Sequence, residues 1–193
     1  MNPICLATNN LHKIEEIKSI FNNDIVVKSL AELNIVEELP ETGNTLEANS
    51  LQKAKFIFDK YKFPCIADDS GLEIEVLNNL PGVDTAHYAG PQRNAADNMN
   101  KVLTKMLNVQ NRKAVFKTVI TYINLNGEIQ QFIGEVDGEI LHEKIGEEGF
   151  GYDPIFKPKG YDKSFAQMIL SEKNRISHRA RALEKFYNFL NSN

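Results

Sequence analysis

AVFKTVITYINLNGEIQQFIGEV, residues 114–136, is the stretch on which the fold class turns. Ala114 to Leu125 is rich in β-branched and aromatic residues, Asn126-Gly127 tolerates the positive φ of a tight turn, and Ile129 to Val136 resumes a strand-like pattern. This predicts a hairpin. Toward the amino terminus, Pro3-Ile4-Cys5-Leu6-Ala7 is an apolar run that breaks into Thr8-Asn9-Asn10, after which Leu11, Ile14, Ile17 and Phe21 recur at helical spacing. This predicts strand, loop and helix. Ile25-Val26-Val27 predicts a second strand, and the acidic stretch Glu37 to Glu41, with Pro40 and Gly43, predicts a loop. Asn44 then stands where it can cap a helix, with Glu47 as its capping-box partner and Leu46, Ala54, Ile57 and Tyr61 on the apolar side.

Pro64-Cys65-Ile66-Ala67 reads as a buried strand, Asp68-Asp69-Ser70-Gly71 as a sharp turn, and Leu72 to Val76 as an alternating, half-exposed strand. Asn94 to Leu107 predicts a helix carrying Ala95, Met99, Val102, Leu103 and Met106. Beyond the hairpin, Glu135 to Leu141 continues the sheet and Gly146 to Gly151 ends it. Asp162 or Ser164 begins a short helix, and Ser177 caps a terminal one whose stripe is Leu183, Phe186, Tyr187 and Leu190. A hairpin among strand-loop-helix segments, without strict βαβ alternation, predicts an α/β fold with a mixed sheet and flanking helices.

The 193 residues, 42% of them hydrophobic and without repeat or long linker, are expected to form a single domain over 1–193. The 22 Lys and Arg against 26 Asp and Glu give a formal charge of -4, which argues against a nucleic acid polymer as partner. Cys5 and Cys65 lie in apolar runs, so they read as buried free thiols of a reducing compartment. Neither end shows a basic-then-apolar signal, and no apolar run nears the roughly 20 residues of a membrane helix. A cytoplasmic location and no membrane partner are expected.

Four polar clusters carry the chemistry. Thr8-Asn9-Asn10 with Lys13, at a strand-to-helix junction, offers backbone N–H groups and an ammonium to an anion; an ordinary polar helix start explains the same residues. Asp68-Asp69 offers one carboxylate to a hard cation and another to water, and equally suits a solvated turn. Glu41 adds a possible metal oxygen, or is one more solvated acid. Ser177-His178-Arg179, with Lys173 just before it, places basic groups at a helix start, where they oppose the macrodipole unless they face an anionic or carbonyl-bearing ligand; a basic surface patch is the alternative. Phe150-Gly151-Tyr152-Asp153 adds an aromatic face flanked by glycines, suited to a flat ligand. Nothing supports a covalent nucleophile or a P-loop: GxSxG and GxxxxGK[ST] are both absent.

As an ordered set these clusters resemble the inosine triphosphate pyrophosphatase family, the Ham1 or RdgB-like noncanonical purine NTP pyrophosphatases. Ala7-Thr8-Asn9-Asn10 with Lys13 and Glu16 is similar to the family's (S/T)GNxxKxxE motif, and Glu41-Thr42-Gly43-Asn44-Thr45 with Asn49 and Lys53-Ala54 to its ETGxTFxENAxxKA stretch. Ala67 to Leu72, Pro81-Gly82-Val83, Gly149 to Phe156 and Ser177-His178-Arg179 follow in the family's order. Asn9 stands where the family usually has Gly, Leu46 where it has Phe, and Ala48 where it has Glu.

The resemblance implies an elongated central sheet, two lobes around a nucleotide cleft, a homodimer, and hydrolysis of ITP, dITP or XTP to the monophosphate and pyrophosphate. It implies Mg2+ held by Glu41, Asp69 and Asp68, with Asp69 orienting or deprotonating the attacking water. Thr8, Asn9, Asn10, Lys13 and Lys173 are expected on the phosphates, with Ser70 as a further substrate contact. Phe150 is expected to stack on the purine, with Gly151, Tyr152, Asp153, His178 and Arg179 forming its pocket. A nucleotide sensor without hydrolysis, an RNA-binding module and a pyrophosphatase for other modified nucleotides are the competing readings. Retention of Glu41, Asp68, Asp69 and Lys13 argues against the first, and the acidic balance against the second.

Overall fold

The computed structural model describes residues 3–21 and 24–192. In chain order the main elements are β1 (Ile4–Leu6), α1 (Leu11–Phe21), β2 (Val27–Ser29), α2 (Leu46–Tyr61), β3 (Cys65–Ile74), β4 (Leu80–Gly82), α3 (Ala95–Lys105), β5 (Lys113–Ile123), β6 (Ile129–Ile140), β7 (Phe156–Pro158), α4 (Leu170–Lys173) and α5 (His178–Asn191). The sheet order is β2-β1-β3-β5-β6-β7, with β4 paired to β3. β1 is parallel to both β2 and β3, whereas β3–β4 and β6–β7 are antiparallel, so the sheet is mixed as expected. Among the described residues, no helix is long and apolar enough to cross a membrane.

The chain divides into two compact units, the first Met1–Asp69, Thr118–Gly134 and Arg179–Asn193, the second Ser70–Lys117 and Glu135–His178. In the first unit, Ile17 and Phe21 of α1 pack with Ile4, Leu6, Ile66, Ile120, Leu183 and Phe186. A second cluster joins Cys5, Ala7, Ala54, Ile57, Cys65, Ala67 and Ile123. Cys5 and Cys65 are register partners on β1 and β3, both free and buried, and burial pushes the Cys5 thiol up to about 12. In the second unit, Leu72, Ile74, Val102, Phe116, Ile140, Phe156 and Phe165 form the core.

Several local expectations are corrected. β2 lies two residues later than the apolar triplet, at Val27–Ser29, and Val26 is 57% exposed. Leu11 opens α1 but is 77% exposed, so the buried stripe begins further along the helix. The cap of α2 is Thr45, whose hydroxyl accepts from the Ala48 N–H at 3.1 Å, and not Asn44. Asp68-Asp69-Ser70-Gly71 is no turn: it runs through the middle of the ten-residue strand β3. Turn propensity of Asp, Ser and Gly yields there because lysine and arginine partners compensate both acids inside the sheet. The hairpin is as expected: β5 and β6 are joined through Asn124–Glu128, with Gly127 at φ +82°. The short helical turn is Phe165–Gln167, boxed by Ser164 and Gln167.

Candidate active site

In the first unit the site grows from the ends and middle of parallel strands. β1 stops at Leu6, and Asn10 caps α1, its Oδ1 accepting from the His12 and Lys13 N–H groups at 3.1 and 3.3 Å. The Thr8 hydroxyl accepts from the Asn10 N–H at 3.2 Å, while the Asn9 and Asn10 side chains remain exposed. Asn9 is not among the residues with positive φ, so an asparagine fits this loop without backbone strain.

Two acids one position apart on β3 face different partners, because side chains alternate along a strand. Asp68, 2% exposed, is ion-paired with Lys13 and with Arg179, whose Nε lies 3.0 Å from its Oδ2. Arg179 is itself 1% exposed and also engages Glu16. Burial alone would raise the Asp68 carboxyl, but Arg179 and Lys13 outweigh it and hold the group well below the usual carboxylate range. Burial would likewise lower the Arg179 guanidinium, yet Asp68 and Glu16 keep it raised. Asp68, read as a third metal carboxylate, and Arg179, read as a base donor, thus share one buried charge cluster.

Asp69 is 8% exposed and meets Lys53 instead. The Lys53 ammonium lies 2.6 Å from Glu41 Oε1, 3.0 Å from Asp69 Oδ1 and 2.7 Å from the Asp68 carbonyl oxygen. Asp69 Oδ2 is buried and accepts no hydrogen bond. Burial pushes the Asp69 carboxyl above its ordinary value against the opposing pull of Lys53 and Lys13. Lys53 and Glu16 have no role legible in the sequence, although both lie within the polar motifs. The missed signal is periodicity: Leu46, Ser50, Lys53 and Ile57 fall on one face of α2, so Lys53 belongs to the buried stripe of the helix.

In the second unit, Phe150-Gly151-Tyr152-Asp153 folds over its own acid. Asp153 Oδ2 accepts from the Phe150 N–H at 2.8 Å and from the Lys173 ammonium at 2.6 Å. That ammonium lies 4.9 Å from the centre of the Phe150 ring, within the second unit. Gly149 holds φ +73°, and a Cβ there would strike the Asp153 carboxylate. Tyr152 is 3% exposed and its hydroxyl donates to the Thr85 carbonyl at 2.9 Å, which makes it a strut for the run. His178 stacks on Phe116 with ring centres 4.6 Å apart and planes 9° apart. Ser70 is half-buried on β3, the first residue of this unit.

Among the described residues, no group of three His, Cys, Asp or Glu side chains is arranged to hold a metal ion. A pair remains, Glu41 and Asp69, and the bare Asp69 Oδ2 is an oxygen in want of a partner. That donor set fits Mg2+, which takes one or two carboxylates and completes its shell with water and substrate phosphates.

Two adjacent acids inside a mixed sheet, each matched to a buried cation, mark the first unit of this α/β protein. The chain belongs to the Ham1 family, whose profile matches residues 4–189. It is 48% identical over 187 residues to the dITP/XTP pyrophosphatase of Flavobacterium johnsoniae, covering 97% of each chain. With the dITP/XTP pyrophosphatase of Porphyromonas gingivalis it shares 44% identity over 191 residues, 98% of each. Among solved structures it resembles the Staphylococcus aureus Ham1 protein, with TM-score 0.89, 40% identity and 99% of each chain covered. A HAM1 protein from Coxiella burnetii matches at TM-score 0.90, 35% identity and 100% of each chain.

Proposed function

We propose that this chain hydrolyses noncanonical purine nucleoside triphosphates, namely ITP, dITP and XTP, to the monophosphate and pyrophosphate. The dITP/XTP pyrophosphatase names of relatives that match it nearly end to end support the substrate class. Asp69 carries the mechanistic reading: a buried carboxylate of raised proton affinity, one oxygen held by Lys53 and the other bare. Asp69 takes a proton from water as the water oxygen bonds to the α-phosphorus. The bond from that phosphorus to the α–β bridging oxygen breaks, and its electron pair leaves with pyrophosphate. Glu41 and Asp69 are the residues assigned to Mg2+, which when bound supplies charge neutralisation to the phosphates.

The Thr8–Lys13 loop is assigned to phosphate oxygens. Lys53 holds Asp69 through one contact and is itself fixed by Glu41 and the Asp68 carbonyl. Phe150 supplies the stacking face for the base, with Lys173 and Asp153 fixing its backbone and ring. His178 is the donor proposed to read the 6-oxo group, which an adenine amine would leave unpaired. Arg179 is a positioning residue, since it acts through Asp68. A homodimer and a cytoplasmic location belong to the same reading; the first rests on the family resemblance, the second on the two buried free cysteines.

The test is product analysis with Mg2+ and ITP, dITP, XTP, ATP or GTP in turn. Pyrophosphate release from the first three only is expected. Orthophosphate with a nucleoside diphosphate would reject the cleavage position, and equal turnover of ATP would reject the base selectivity.

A further inference from the structure

We infer that Lys53 is a resident counter-ion that keeps the nucleotide-free protein from binding a divalent cation tightly, so that the metal joins the site together with the nucleotide's phosphates. The inference rests on the assignment of Glu41 and Asp69 to the metal. Three observations carry it. The Lys53 ammonium is within 2.6 Å of Glu41 Oε1 and 3.0 Å of Asp69 Oδ1, so it already pairs with both carboxylates a cation would need and cancels half of their charge. It is anchored by the Asp68 carbonyl at 2.7 Å and lies on the buried stripe of α2, 3% exposed, so it cannot swing into solvent without breaking that packing. The neighbouring acid offers no replacement, because Asp68 is committed to Lys13 and Arg179.

Two carboxylates and one ammonium leave one net negative charge, a weak field for a divalent ion that must shed tightly held water. A triphosphate supplies the missing oxygens and charge. The bare Asp69 Oδ2 then offers an oxygen that Lys53 does not occupy, beside Glu41, whose side chain is 28% exposed. The ammonium thereby suits a site that assembles only around its substrate.

The experiment counts bound Mn2+ by electron paramagnetic resonance at pH 8, with and without a non-hydrolysable α,β-methylene analogue of ITP. Wild type is expected to bind Mn2+ at least about tenfold more tightly with the analogue than without it. Lys53→Met, free of nucleotide, is expected to bind at least about tenfold more tightly than free wild type, and Lys53→Arg to match wild type. Free wild type binding as tightly as its analogue complex overturns the inference, and this comparison decides it even where Lys53→Met does not fold. A folded Lys53→Met that binds no more tightly overturns it too. Analogue-dependent Mn2+ that survives Glu41→Gln overturns the metal assignment itself, a result distinct from the other two.

Discussion

Asp68 and Asp69 are chemically identical neighbours that the fold drives in opposite directions. Asp68 sits among cations, and its carboxyl is held below the usual range; Asp69 is raised by burial. A lowered folded value contributes stability that is present above the unfolded carboxylate value near ~3.9 and is lost as pH falls below it. A raised folded value has the reverse sign: the proton binds the native state more tightly, and stability declines as pH rises from the unfolded value through the folded one. Asp68→Asn strips Arg179 and Lys13 of their shared carboxylate and is expected to cost roughly 3–5 kcal/mol at pH 7 in urea unfolding, the gap from wild type narrowing toward pH 3. Asp69→Asn is expected to keep wild-type stability at pH 7 while turnover falls about 10²- to 10⁴-fold with nucleotide binding retained. Turnover within a factor of two of wild type would remove Asp69 as the base. The sequence exposes the acids and Lys13 because each stands in a short polar cluster. It hides the pairing of Arg179 with Glu16, whose partners are 163 positions apart and meet only through the fold.

At the level of elements, hydrophobic period was more legible than boundaries. The helices at Leu46–Tyr61 and Ala95–Lys105 and the Asn126-Gly127 hairpin all appear where periodicity and turn residues place them. The cap of α2 falls one residue beyond Asn44 because Asn44 and Thr45 are both good caps, and the fold decides: Thr45 is extended at φ -138°, ψ 157° and its hydroxyl accepts from Ala48. Thr45→Ala is therefore expected to lower stability by about 1 kcal/mol, and Asn44→Ala by no more than a few tenths, as read from urea midpoints at unchanged slope. The reverse order would return the cap to Asn44. The Asp68–Gly71 segment departs from the expected turn for a different reason. Turn propensity is local, whereas its strand conformation depends on Lys13, Lys53 and Arg179 arriving from three other segments. Lys53 shows the same limit, since a lysine on a helix reads as solvated until two carboxylates and a carbonyl are seen around it.

Across the whole molecule, separate apolar cores serve the two units, yet β3, β5 and β6 each contribute residues to both. On β3 the change of unit falls between Asp69 and Ser70, inside a continuous strand. A strand whose ladder must be intact along its length transmits unfolding from one unit to the other, because a half-formed strand leaves backbone groups unpaired. Phe186→Ala in the first unit and Phe156→Ala in the second, both fully buried, are each expected to cost about 3–5 kcal/mol. Either substitution is expected to lower hydrogen-exchange protection on both sides of the Asp69-Ser70 boundary together, with one unfolding transition by fluorescence and by circular dichroism. Loss of protection confined to Cys65–Asp69 in Phe186→Ala, or to Ser70–Ile74 in Phe156→Ala, would mean that the units unfold independently. In that case the two acids would lie at the end of a cooperative unit and not within one, and their opposed carboxyl shifts would depend on the first unit alone.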